Sequence, residues 1–211
     1  MMSHKLMSRK QGSPKQALPG VGSGTAILLG LLGVIVVIGL WFMGTYNGLI
    51  NKDAEVERQA SNVESQLKRR ADLIPNLVAT VKGYAKHEKG VYENIAAARS
   101  RLLAADVNSN PREAAAANSA FNSSLGRLLA IAENYPQLKA DQNFIRLQDE
   151  LTGTENRINV ARLSFNDAVK DYNIAVRAFP GNVVAGISGF SRKDSFEATE
   201  AEKALPKVDF E

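Results

Sequence analysis

The chain has 211 residues, no cysteine and an apolar share of 45%. That length holds one domain plus an anchor, and the missing thiols exclude disulfides, cysteine nucleophiles and cysteine-ligated zinc or iron–sulfur centres. The formal net charge of +4 comes from Lys5, Arg9, Lys10 and Lys15, which precede Tyr46 with no acid among them; the remainder holds 22 cations against 22 carboxylates and has no bulk attraction for nucleic acid.

Residues 1–24 are rich in Ser, Gly, Pro, Gln and Lys and read as a disordered basic tail. From Gln16 to Asn51 there is no charged residue. Residues 25–45 centre on ILLGLLGVIVVIGLWFM and are long enough to cross a bilayer as a helix, which takes about 20 residues. Trp41 and Tyr46 stand at one end, as interfacial aromatics do. The run ends in WFMGTYNG instead of a small-x-small cleavage site, which favours an uncleaved anchor over a leader peptide. Four cations precede the span, and only Lys52 and Arg58 follow within about 15 residues, so the N-terminus is expected in the cytoplasm and the domain outside.

Residues 46–180 read as an antiparallel up-down four-helix bundle in an all-α protein. The first seam is Leu49, Asp53, Val56, Ala60, Val63, Leu67, Arg70 and Ile74; its two charges either make buried polar contacts or face water. The second runs from Leu77 through Val81, Tyr84, Glu88, Val91, Ile95 and Ala98 to Leu102 and Ala105. Asp72-Leu-Ile-Pro75 separates them as a reversal or as a kink, because proline can sit inside a bent helix. Asn110, Pro111 and Glu113 form a cap, first-turn proline and capping-box acid for a third helix with the seam Ala114, Ala117, Phe121, Leu125, Leu128 and Ala132. Tyr135-Pro136 breaks that helix. The last seam is the most regular: Phe144, Leu147, Leu151, Thr154, Ile158, Ala161, Phe165, Ala168, Tyr172, Ala175 and Phe179 alternate three and four apart until Pro180-Gly181 stops it. Residues 181–211 are expected as a mostly flexible extension.

With all three breaks taken as reversals, the fourth helix outlasts the third, so its C-terminal half needs cover from the first two helices, the membrane surface or a second copy. Phe165, Lys170, Tyr172, Arg177 and Phe179 are therefore the expected interaction surface.

Catalytic chemistry has little to work with. There are two histidines, His4 and His87, and HEKGV lacks the second histidine of a zinc-protease helix. Neither a Ser-His-Asp nor a Cys-His arrangement can be assembled, no phosphate loop is present, and no cofactor or metal is expected. Glu88, Arg99, Glu155 and Arg162 read as a structural polar core. Arg99 falls near the height of Glu150 to Glu155, where a cross-helix ion pair would fix register in an alanine-rich interior.

The strings RRADLIPNLV and YPxLKAxxxFxxLQxELxxTENxIxxAR, with the trailing ISGF, resemble the LemA family of bacterial membrane proteins over about 46–190. The resemblance implies an N-terminal anchor, a four-helix bundle, no settled enzymatic activity, and a scaffold or adaptor role in the cell envelope. The expected partners are the lipid bilayer, membrane or envelope proteins and a second copy of the chain. The competing reading is an envelope sensory domain that binds a small ligand between helices. A pocket lined by converging polar groups would favour the sensor; a filled core with an exposed apolar strip would favour the scaffold.

Overall fold

The computed structural model describes residues 23–196; the tail up to residue 22 and the end of the extension from residue 197 lie outside the described residues. The chain divides into two units, Met1–Met43 and Gly44–Glu211. All regular structure among the described residues is helical: α1 (Ser23–Tyr84), α2 (Lys89–Ala104), α3 (Pro111–Ala130), a 3₁₀ turn (Ile131–Asn134), α4 (Pro136–Lys139), α5 (Gln142–Arg177) and α6 (Gly181–Ser188).

In the first unit the described residues are the opening turns of α1. Side chains from Ile27 to Leu40, among them Leu31, Val34 and Val37, are more than half exposed. Such a helix satisfies its backbone internally and leaves its side chains for an apolar solvent, which is what a membrane span requires.

In the second unit, α1 buries a single stripe: Leu49, Val56, Ala60, Val63, Leu67, Arg70, Ala71, Ile74, Leu77 and Val81. The first seam and the start of the second, Leu77 and Val81, are thus one stripe, and the later part of the second seam lies on α2, where Ile95, Ala98 and Leu102 are buried. Asp72–Pro75 is not a reversal, because α1 runs through Pro75 and ends at Tyr84. The reversal comes at residues 85–88, where the Tyr92 hydroxyl donates to the Ala85 carbonyl at 2.5 Å. From there α2 runs antiparallel to α1: residue 92 bonds to 85, 99 to 71, and the Val107 N–H donates to Glu64 at 2.9 Å. α3 opens as its sequence indicates, with the Asn110 side chain accepting from the Glu113 N–H and Pro111 in the first turn.

The last long helix starts at Gln142, later than Pro136, because Asp141 caps it. Asp141 Oδ1 accepts from the Asn143 and Phe144 N–H groups at 2.8 and 3.0 Å. Tyr84 donates to the other carboxylate oxygen at 2.9 Å and ties the end of α1 to the start of α5. These bonds, chiefly the one from the Phe144 N–H, hold the Asp141 carboxyl below its ordinary range. At 36 residues α5 is about 54 Å long. It buries Phe144, Leu151, Thr154, Ile158, Ala161, Phe165, Val169, Tyr172 and Val176. The seam leaves the expected phase after Phe165, so Phe179 lies outside it and is 78% exposed. A straight α-helix drifts about 20° per heptad against a 3.5-residue repeat, and a helix this long accumulates that drift.

The C-terminal half of α5 is covered from within the chain. After α6, whose Val184 and Ala185 are buried, residues 191–196 run back along α5 as an irregular strap. The Asn173 amide donates to the Lys193 carbonyl at 2.8 Å and accepts from its N–H at 2.9 Å. The Asn166 amide does the same for Phe196, at 3.1 and 2.8 Å. Each asparagine acts as a substitute peptide group. The spacing fits: seven residues of helix rise about 10.5 Å, and three residues of extended chain cover about 10 Å. Phe196 is buried, with the Arg162 guanidinium 4.7 Å from its ring centroid. Of the extension expected as flexible, residues 181–188 therefore form α6 and 191–196 lie clamped on α5.

Replacing Asn173 with Ala removes one clamp of two hydrogen bonds and is expected to cost about 1–3 kcal/mol in denaturant melts. Trypsin should also nick Asn173→Ala after Arg192 or Lys193 under native conditions faster than wild type. Equal nicking rates would mean that the amide does not hold the strap.

Candidate functional site

A proline inside a helix has no N–H to give to the carbonyl four residues earlier. For Pro75 that carbonyl belongs to Ala71, which is buried. Arg99 of α2 supplies the missing donor: its Nε donates to the Ala71 carbonyl at 2.9 Å, and its guanidinium lies 3.6 Å from the Asp72 carboxylate. The side chain thus repairs α1 and fastens α2 to it.

One residue earlier stands Arg70, which is 5% exposed because its position in the α1 stripe points it inward. It forms an ion pair with Glu155 of α5. Its guanidinium also lies 5.2 Å from the ring centroid of Phe121 on α3. Burial pushes the Arg70 guanidinium down from its ordinary value, and the Glu155 charge opposes that shift. Thr154, next to Glu155, is buried and donates to the Leu151 carbonyl at 2.8 Å. Residues 70–72 therefore meet α2, α3 and α5 at one level.

The expected polar core divides accordingly. Arg99 and Glu155 belong to this layer, but they are not each other's partners; the partner of Glu155 is Arg70. Glu88 lies elsewhere, half-buried at the cap of α2, where its carbonyl accepts from the Val91 and Tyr92 N–H groups. Arg162 sits over Phe196. Both charges of the first seam are paired: Arg70 in the buried contact above, and half-buried Asp53 with Lys193 of the strap at 2.7 Å. Their place in an apolar stripe was the available signal.

The five residues expected on one interaction surface are also divided. Phe165 and Tyr172 are buried; Lys170, Arg177 and Phe179 are exposed. Tyr172 lies under the Lys193 ammonium, 5.6 Å from its ring centroid, and burial together with the Asp53 charge raises its phenol pKa. The strap and the Asp53 turn of α1 cover the strip, so it is internal. Exposed large apolar side chains on α5 include Val160 (65%), Leu163 (66%) and Ile174 (53%).

The depressions on the helical unit include open grooves. One of about 340 Å³ is lined by Glu64, Leu67, Lys68, Leu102, Leu103 and Ala105. Another of about 350 Å³ is lined by Asn62, Gln66, Asn156, Arg157, Val160 and Ala161. Among the described residues no cluster of three or more His, Asp or Glu side chains is placed to hold a metal ion.

The LemA family model matches residues 59–210. The chain is similar to the magnetosome protein MamQ 2 of Paramagnetospirillum magneticum, 26% identical over 199 residues that cover 83% of this chain and 72% of that protein. It is similar to the magnetosome protein MamQ of Magnetospirillum gryphiswaldense, 25% identical over 179 residues, covering 74% and 66%. Protein LemA of Metamycoplasma hominis is 26% identical over 177 residues, covering 82% and 80%.

The repair of α1 by Arg99 makes a coupling prediction. Arg99→Leu should destabilise the chain by about 1–3 kcal/mol, since it leaves the buried Ala71 carbonyl without a donor. In a Pro75→Ala background residue 75 can bond to that carbonyl itself, and the same substitution should cost measurably less. Equal costs in the two backgrounds, read from a double-mutant cycle of denaturant midpoints, would refute the repair.

Proposed function

The chain belongs to the LemA family, and from that premise we propose that it is a membrane-anchored helical scaffold that acts by protein–protein contact and carries out no catalysis. In this reading α1, α2, α3 and α5 form an antiparallel four-helix bundle, single-pass in the cell membrane with its N-terminus in the cytoplasm. The observation that carries it is a filled interior beside an exposed apolar strip. The Arg70–Glu155 pair lies between α1 and α5 and the strap covers the C-terminal half of α5, while Val160 and Leu163 are exposed on another face of α5. Isolated apolar side chains on a surface are ordinary, but two on one helical face, beside a groove, supply a contact edge. The name magnetosome protein, carried by two relatives, accords with work at a membrane.

The sensory reading is weaker on the same observations. The grooves are open, and the Arg70 and Arg99 charges of the polar layer face Glu155 and Asp72.

Two measurements test the proposal. The full chain in native membranes should migrate as an assembly larger than the monomer. Val160→Asp with Leu163→Asp should reduce that assembly and leave the thermal midpoint within a few degrees, because neither side chain is buried. A wild-type chain that stays monomeric would end the scaffold reading. For orientation, a phosphatase joined after Glu211 should be active and a cytoplasm-maturing fluorescent protein there should stay dark; the reverse pattern would invert the topology.

A further inference from the structure

The fold brings a second apolar surface to one end of the Gly44–Glu211 unit. On α6, Val184 and Ala185 face inward, while Val183 and Ile187, four residues apart on the other side, are 46% and 71% exposed. Phe179 projects from the turn just before α6 and is 78% exposed. These side chains are held at the start of the α1 stripe. The Phe190 ring lies 5.7 Å from that of Tyr46. At Gly181 an added Cβ would stand 2.0 Å from the Ala175 carbonyl oxygen and 3.9 Å from Leu49 Cδ2, so only glycine lets α6 come this close.

The charges around this surface are mainly cationic. From Tyr172 to Lys193 the chain carries Arg177, Arg192 and Lys193 and no acid. Residues 44–52 add Lys52 and no acid. The nearest carboxylates in the chain are Asp53, which is paired with Lys193, Asp194, which is paired with Arg112, and Asp171 on α5. An apolar ridge in a cationic setting matches the interface of a bilayer bearing anionic lipids, where apolar side chains enter the acyl boundary and Lys and Arg meet headgroups.

Covalent connection keeps this surface near such an interface. Tyr46 follows Met43, the last residue of the first unit, by three residues, a reach of at most about 11 Å. The headgroup region of each leaflet is itself about 5–8 Å deep. A soluble partner would have to compete with a surface that the chain never leaves.

We propose that Phe179, Val183 and Ile187, flanked by Arg177 and Arg192, form a lipid-contacting surface that seats α6 in an anionic bilayer interface. This rests on the membrane-anchored reading above.

The absence of native cysteine allows a direct test on the full chain. Single nitroxide labels at Ile187→Cys, Val160→Cys and Val36→Cys are read in vesicles of zwitterionic lipid alone or with added phosphatidylglycerol, by collision with oxygen and with a water-soluble nickel chelate. The expected result is a label at residue 187 shielded several-fold from nickel relative to residue 160, with deeper shielding in anionic vesicles. Arg177→Glu with Arg192→Glu should abolish the anionic-lipid dependence. A label at residue 187 as wet as that at residue 160 overturns the proposal, and so does shielding that disappears when the chains are diluted into a large excess of lipid, since a second copy would then be the cover. The label at residue 36 separates the two readings: if it too is wet, the anchor itself fails, whereas a dry residue 36 with a wet residue 187 rejects the α6 seat alone.

Discussion

Everything in the helical unit depends on the repair of one missing hydrogen bond. Pro75 would end or kink α1, leaving the Ala71 carbonyl buried without a donor. Because the Arg99 side chain supplies one, α1 continues for another nine residues to Tyr84 and keeps a single buried stripe from Leu49 to Val81. That unbroken stripe gives the other helices a common surface. It also places Arg70 next to the repaired carbonyl, where Glu155 and Phe121 converge on it from α5 and α3. A buried guanidinium tolerates few arrangements, since leaving it without its anionic partner is far more costly than leaving an exposed one. The layer therefore selects one register among the many that an alanine-rich interior would permit.

Much of this was legible in the residues. Spacing of three and four identified the helices, the uncharged run marked the span, and the chemistry of Asn110, Pro111 and Glu113 opened α3 where it does open. The seam of α5 was right as far as Phe165. Beyond it, a strict heptad count carried Ala168, Ala175 and Phe179 inward, whereas the 3.6-residue period of a straight helix turns Val169 and Val176 inward instead. Pro75 could not be resolved from sequence, because the group that rescues it lies 24 positions away on another helix.

The strap was illegible for a different reason. Asn166 and Asn173 have the composition of an ordinary solvated helix face, and residues 191–196 have no periodicity to read. Their relation is a match between two rises, one helical and one extended, which local sequence does not display. The polar core was half legible: Arg99 and Glu155 were expected to pair at one level and do share a level, but each serves a different member of α1. Glu88 and Arg162 were grouped with them by helix periodicity, although they occupy a turn and a strap contact.

The two asparagine clamps also give the chain a mechanical polarity. The strap runs opposite to α5, so the clamp nearest the C-terminus, at Asn166, meets any outward pull before the one at Asn173. Load on that side is borne by two hydrogen bonds at a time, in series, and the strap peels like a zip. Load passing along α5 itself is shared among the many backbone bonds of its helical turns. The same segment thus yields in steps when pulled from its end and stays fast when the unit is strained as a whole.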